Sequence, residues 1–541
     1  MFIIETRDFT NRNFDKWELQ FDYHCVYILE SKKQVYVGET NNIERRAVEH
    51  CSDSERNRLK SYKFNKIHII QSELFEPGPA FHFERILIKL MRIDGLYEVV
   101  NGNDGKTTHY QRANMFELHF DDLWVELEKM GLVKAREFRA ILNSGVYKYS
   151  PYNVLTEKQE HALNNIMNVI NTGETKPHKD GYEARPILIE GDAGTGKTVV
   201  ATSLFYRLKT DPRYRDKKIA LVYPTTAMRE EIQKVFKETK HLNKSHVIAP
   251  IDVTKKFYDI VICDEAHKLR RAKNIGFYIT DFRKGNQRMG LCEDGDELDW
   301  ILNNSGCQVL FVDNKQIAAP RDISHDYFME RLKEKTRGIR PVLLDEQMRI
   351  QAGDGYVSYI HDVLHHKTEE PKIFENYDFK LFVNFSDMFK LIRKKDEAVG
   401  LSRLCGGYAW QWKDKGSDTW RKIVIDGIEI DWNGQTSGWL SNLDCKNEMG
   451  SVYTLVGLDL NYAGVVIGPD LTFDTTENKI AVNKKEFHDK EVKKGVSDAD
   501  LKAFILNSYA ILLTRGIKGT FVYVCDDKLR EYFEKFIPIH Q

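Results

Sequence analysis

The chain alternates between short apolar runs with strand character and longer stretches with helical period. Cys25 to Leu29 and Gln34 to Gly38 are strand-like, are separated by the polar turn Glu30 to Lys33, and predict a hairpin carrying Tyr27 and Tyr36. The following NNIERRAVEH predicts a helix on which Ile43, Arg46, Ala47 and His50 fall on one face at i, i+3, i+4 and i+7. A guanidinium and an imidazole on an inward face require a partner, a cleft or an anion. A second helix, FHFERILIKLMRI, sets Glu84 above Leu87, Ile88 and Met91. From Thr107 to Tyr149 the pattern is helical with no cluster of chemically active side chains, which predicts a connecting segment.

The stretch Ile187 to Leu204, ILIEGDAGTGKTVVATSL, predicts a buried strand, a glycine-rich turn and a helix. Gly191, Gly194 and Gly196 let backbone amides approach a polyphosphate without Cβ atoms in the way. The helix N-terminus then faces the anion, with Lys197 reaching the β and γ phosphates and Thr198 placing a hydroxyl on Mg²⁺. Downstream, YDIVICDEAH ends an apolar strand in paired carboxylates, Asp264 for the Mg²⁺ water shell and Glu265 to polarise the attacking water. Both halves of a nucleotide site are therefore expected, and ATP with Mg²⁺ is the expected ligand. Gln159, just ahead of the P-loop strand, is a candidate for reading the base, although Thr156 before it also fits a helix cap.

Other positions fit a nucleic-acid motor. Thr225 and Thr226 after an apolar run suit a phosphate contact, and the basic run Lys268, Arg270, Arg271 and Lys273 suits a strand path. In VLFVDNKQ, Asp313 and Gln316 stand at a strand end, where a glutamine can sense the γ-phosphate. Arg349 beyond VLL, and Arg515 in a Thr514-Arg515-Gly516 turn expected between two strands, suit charge neutralisation by a second lobe. Trp410 and Trp412 are expected to pack rather than stack on a base. Lys413 to Asp431 and Asp474 to Val496 are expected to be insertions or loops.

At 541 residues the chain is expected to form three or four globular units. A net charge of -1 argues against a uniformly basic nucleic-acid coat but not against local basic patches. The eight scattered cysteines, without a C-x-x-C pair, lead to an expectation of reduced thiols in the cytoplasm and no cysteine-based zinc cluster. No apolar run reaches membrane-spanning length, so no membrane association is expected without a partner.

Cys25-Val26-Tyr27 followed by Tyr36-Val37-Gly38, then Arg46, His50, Glu84 and Asn101, resembles the GIY-YIG nuclease family. The resemblance implies a divalent metal held by Glu84, a tyrosine-assisted water as nucleophile and Arg46 neutralising the phosphate. Cys25 stands where the first glycine would be, and the turn between the tyrosines is slightly short. The later series Gln159, P-loop, Pro-Thr-Thr, DEAH, Asp313-x-x-Gln316, Arg349, Gly457-x-Asp459 and Thr514-Arg515-Gly516 resembles superfamily-one helicases, and more narrowly their schlafen-type branch. One departure is Val456, where many relatives carry a glutamine. The implied fold class is α/β: a small GIY-YIG domain over 1–106, a helical linker over 107–150, and two RecA-like parallel-sheet lobes over 151–335 and 336–541. The implied function is metal-dependent cutting of nucleic acid, DNA favoured over RNA, coupled to an ATPase. Foreign-DNA defence or processing of damaged DNA is the setting such a fusion suits, with a protein partner or second copy as a further possibility. A gate without travel along a strand, and a clamp without cutting, are the rival readings.

Overall fold

The computed structural model describes residues 2–10, 24–51, 59, 61–73, 75–101, 120–134, 138–153, 155–172, 177–178, 181–182, 186–335, 341–353, 355–411, 421–434, 438–440 and 442–540. The chain forms two compact units, Met1–Val154 and Leu155–Gln541.

The first unit is built on a five-stranded sheet in the order Ile3–Asp8, Lys66–Gln71, Cys25–Glu30, Gln34–Thr40, Glu98–Val99. The central strand Cys25–Glu30 is apolar on both faces because both faces are covered. Cys25, Tyr27 and Leu29 pack with Ile43 and Ala47 of the helix Ile43–Cys51. Val26 and Ile28 point the other way, into a core with Phe83, Leu87 and Met91 of the helix Pro77–Asp94. That second core also contains Phe120, Trp124, Leu127, Phe138 and Ile141. The helices Phe120–Lys129 and Phe138–Asn143, within the stretch expected to be a linker, thus share the first unit's core.

The second unit holds two sheets. In the first, Val247–Ile248, Ile219–Val222, Tyr258–Cys263, Ser305–Val312, Pro186–Gly191 and Val342–Leu344 lie side by side, all parallel. The second runs Asp378–Phe382, Gly516–Val524, Leu460–Ile467, Ser402–Gly406, Glu448–Ser451, Ile428–Trp432, Lys422–Ile425, parallel except for its last pair. These are the two RecA-like lobes.

Four expectations are corrected. The strand Val342–Leu344 pairs with the P-loop strand, Val342 opposite Ile189, so it is the edge of the first sheet although the boundary at 336 assigned it to the second lobe. Thr514-Arg515-Gly516 follows a helix, Asp498–Leu513, and precedes the strand Gly516–Val524. The run YAILL is buried on all sides, and an all-apolar segment of that length has no period to separate helix from strand. Within 413–431 and 474–496 the chain forms the hairpin Lys422–Ile425 with Ile428–Trp432, which extends the second sheet, and the strand Lys479–Val482 paired to Leu471–Asp474. Three members of the basic run have partners within the first lobe, and Lys273 is exposed. Lys268 is buried and donates to Asp322 Oδ2 at 2.8 Å, while Arg270 and Arg271 lie over the rings of Tyr278 and Tyr327. Trp410 packs edge-on against Trp432 in the second lobe's core, as expected, and Trp412 falls outside the described residues. Among the described residues no helix is long and apolar enough to cross a membrane.

Candidate active sites

The hairpin register sets Tyr27 directly opposite Gly38. A Cβ on Gly38 would overlap the Tyr27 ring, so glycine there lets the tyrosine lie across its partner strand. Fully buried, Tyr27 carries its hydroxyl 2.7 Å from His50 Nε2, and Arg46 Nε donates to the same oxygen at 3.2 Å. Tyr27 and His50 thus share a hydrogen bond, and the guanidinium donates to the same phenol oxygen. Tyr36 stands 6.2 Å from the Tyr27 ring and edge-on to His50 at 5.3 Å. Burial pushes both phenols up; the charge of Glu84 adds to the rise and that of Arg46 opposes it. The helical spacing therefore brings Arg46 and His50 to Tyr27 and Tyr36, with Glu84 in electrostatic reach.

Asn101 is placed differently. Its Oδ1 accepts from Val37 N at 3.0 Å and its Nδ2 donates to Val37 O at 2.7 Å. Both ends of the amide are thus spent on the backbone between Tyr36 and Gly38, which makes Asn101 a positioning residue. Burial, followed by the charge of Arg46, pushes His50 down to about 4 from 6.5. Between those values the unfolded chain binds the extra proton and the folded one does not, so His50 makes stability rise with pH across this window. A His50→Gln variant is expected to show a flatter dependence of urea-unfolding free energy on pH between about 4 and 6.5; an unchanged slope would mean that the imidazole is not held neutral.

The nucleotide site lies at the carboxyl ends of the first sheet's strands, where parallel sheets bind ligands. Gly194 and Gly196 have φ of 88° and 82°, and a Cβ on Gly191 would stand 2.6 Å from Thr195 Oγ1 and 2.8 Å from Leu344 O. Lys197 is buried, donating to Gly191 O at 2.8 Å and Asp192 O at 2.9 Å, with Asp313 Oδ2 at 3.3 Å. Thr198 Oγ1 donates to Asp264 Oδ2 at 2.7 Å. Asp264 is completely buried, and desolvation together with Glu265 raises its carboxyl. In Glu265 burial is outweighed by His267 and Lys197, and the carboxyl is held low. Glu265 also has φ of 54°, a left-handed backbone that a non-glycine residue adopts at a cost of about 1–3 kcal/mol.

Gln159 has two jobs at once. With Thr156 it forms a reciprocal cap, Thr156 N to Gln159 Oε1 at 3.1 Å and Gln159 N to Thr156 Oγ1 at 3.3 Å. Its Nε2 also donates to Thr195 O at 3.0 Å, tying that helix start to the P-loop. On the other side Gln316 Nε2 donates to Asp313 Oδ2 at 2.7 Å, and Gln316 Oε1 accepts from Arg515 Nη2 at 2.7 Å. A continuous polar path therefore runs from Lys197 through Asp313 and Gln316 to Arg515 in the second lobe. Arg349 donates to Asp459 Oδ1 at 2.7 Å and to Thr514 O at 3.0 Å, beside the same path.

Sequence reasoning missed two residues. Gln347 Nε2 donates to Ala193 O at 2.8 Å, and its Oε1 accepts from Arg349 N and Ile350 N, at 3.0 and 3.1 Å. It locks the segment carrying Arg349 onto the P-loop, and only its closeness to Arg349 in VLLDEQMRI pointed to it. His267 Nδ1 accepts from Asp313 N at 3.1 Å, so the neutral ring carries its proton on Nε2, which faces Glu265 Oε2 at 3.1 Å. The histidine of DEAH thereby joins two strand ends.

The stretches that carry these two sites match known families. Residues 185–526, more than half of the chain, match the family described as Schlafen group 3, DNA/RNA helicase domain. The chain belongs to this family. Ahead of the Schlafen group 3 helicase domain, residues 23–94 match the GIY-YIG catalytic domain. An uncharacterized protein of Saccharomyces cerevisiae is 26% identical over 426 residues, which cover 70% of this chain and 90% of that protein. Among solved structures, Bacteroides Pif1 bound to ssDNA is 10% identical, covering 70% of this chain and 94% of its own at a TM-score of 0.28. Pif1 helicase from Candida albicans is 11% identical, covering 72% and 98% at 0.29. Likeness at this level carries no argument about the site.

Proposed function

We propose that this protein is an ATP-dependent nuclease, cutting DNA in preference to RNA, in which a superfamily-one ATPase drives or licenses a GIY-YIG cutting module. The observation that carries the reading is the pairing, in one chain, of the Tyr27, His50, Arg46 and Glu84 cluster with a P-loop wired to Arg515.

The residues fit the groups this function requires. The left-handed backbone at Gly194 and Gly196, the Lys197 ammonium and the Thr198 and Asp264 oxygens suit a magnesium nucleotide. Glu84, a buried carboxylate whose charge acts on both phenols, would suit a hard cation that takes its other ligands from outside the protein. Among the described residues no three His, Cys, Asp or Glu side chains gather as a denser metal site. Bound at either place, Mg²⁺ supplies positive charge to phosphate oxygens. In the cutting module Tyr27, held by its hydrogen bonds to His50 and Arg46, orients the attacking water, while Arg46 meets the charge on the phosphate. In the motor Lys197 binds the terminal phosphates and Glu265 orients the attacking water. Gln316 reports the γ-phosphate to Arg515, which with Arg349 closes the second lobe on the nucleotide.

A second reading, in which ATP opens and closes the lobes to license cutting without travel, is favoured by Val456. It is buried in the second lobe's core, where an aliphatic side chain offers no polar contact to a strand. Displacement of a labelled strand or a bound roadblock separates the two: nucleic-acid-stimulated hydrolysis without displacement supports the gate, and displacement supports the motor.

A further inference from the structure

Among the described residues, the contacts that join the lobes of the second unit include two sets. One surrounds the nucleotide site, where Arg515 meets Gln316 and Asn507 Nδ2 donates to Ile317 O at 2.8 Å. The other is made by the excursion between the strand Leu460–Ile467 and the helix Asp498–Leu513, together with Tyr453 beneath it. This excursion, residues 468–497, forms its own two-stranded hairpin, separate from the seven-stranded sheet, and a short helix, Lys490–Lys493.

The excursion is stiff and anchored on the second lobe. Asp489 Oδ1 caps the short helix by accepting from Glu491 N and Val492 N, each at 3.1 Å, and Lys493 Nζ donates to Lys484 O and Phe487 O, each at 2.6 Å. His488 N donates to Tyr408 O at 2.7 Å. It reaches the first lobe at separate points. Asn274 Nδ2 donates to Lys494 O at 2.6 Å from a left-handed backbone with φ of 52°. The Glu491 carboxylate covers Gly276, coming within 3.5 Å of where a side chain would begin. Arg321 lies 5.0 Å over the ring of Tyr453, whose hydroxyl donates to Asp489 Oδ2 at 2.8 Å. Asp489 therefore divides its two oxygens between the short helix and the tyrosine on which the first lobe's arginine rests.

We propose that residues 468–497 are a clasp that holds the two lobes in their resting arrangement and lets go when ATP and a nucleic-acid strand bind. The inference rests on the ATPase reading above. Any movement of the lobes must break the Asn274, Gly276 and Arg321 contacts, because the excursion is fixed to the second lobe and these residues to the first. None of them touches the P-loop, so the clasp sets the rate of lobe movement without taking part in phosphate chemistry.

The test uses the full chain with the exposed Cys292 changed to Ser and with Asn274→Cys and Lys494→Cys bridged by a short bifunctional thiol reagent; chains carrying only one of the two introduced cysteines are the controls. With ATP and poly(dT), bridging is expected to lower turnover at least about fivefold, the scale of a typical coupling between sites. Asp489→Ala is expected to raise turnover without nucleic acid by a similar factor and, in the double-cysteine chain, to slow bridging. Equal turnover of bridged and unbridged protein overturns the clasp, as does an Asp489→Ala chain with unchanged basal turnover and unchanged bridging. If the unbridged chain hydrolyses no ATP, the ATPase reading fails and the bridging rate alone decides: slower bridging in Asp489→Ala upholds the clasp, and an unchanged rate overturns it.

Discussion

Lys197→Ala is expected to reduce ATP turnover by about 10²-fold or more, the loss that follows removal of one fixed charge donor from a transition state. The buried ammonium now bridges Gly191 O, Asp192 O and Asp313, so it is already at the mouth of the cradle that a triphosphate would enter. Alanine removes that charge and leaves the Asp313 carboxylate buried without its lysine. Nucleotide binding weakens with it, because Gly194 and Gly196 supply only neutral amides. A coupled-enzyme assay with saturating nucleic acid reads the effect, and a thermal melt shows whether the second unit still folds. Normal turnover in a folded variant would place the phosphate cradle elsewhere.

Glu84→Gln is expected to slow Mg²⁺-dependent cleavage by about 10²-fold, a loss of about 3 kcal/mol. The substitution keeps the shape of the side chain on the helix Pro77–Asp94 but removes the charge that acts on Tyr27 and Tyr36. The stability of the first unit is expected to hold, since Leu87, Ile88 and Met91 rather than Glu84 fill its core. ATP hydrolysis should also be unaffected. Retained cleavage in Glu84→Gln would remove the carboxylate from the metal site and make Tyr27, His50 and Arg46 a binding cluster.

What the sequence disclosed was local. A P-loop is legible because three glycines, a lysine and a threonine needed by one anion stand within eight positions. The hairpin is legible because Tyr27 and Tyr36 flank a short polar turn, and helical period alone placed Arg46 and His50 on the face that packs beneath them. Contacts between distant segments left no such trace. Gln347 meets Ala193 across 154 positions, and nothing about a glutamine in VLLDEQMRI announces that. Asn101 is visible in sequence only as the last member of the nuclease-like series, and nothing there shows that its amide pairs with Val37 in the manner of a strand. The basic run after DEAH resembles a strand path because charge is visible in sequence, while Asp322 and Tyr327, which meet Lys268 and Arg271, lie about fifty positions on. Val342–Leu344 was assigned to the wrong lobe for the same reason, since three apolar residues do not specify which sheet they join.

The central claim is that cutting by the first unit depends on ATP turned over by the second. It is tested most directly by the initial rate at which labelled linear duplex DNA is cleaved with Mg²⁺ present and with ATP, a nonhydrolysable ATP analogue or no nucleotide. The account predicts fast cutting with ATP alone and slow cutting in the other two. Equal rates in all three, or no Mg²⁺-dependent cutting in any, would contradict it.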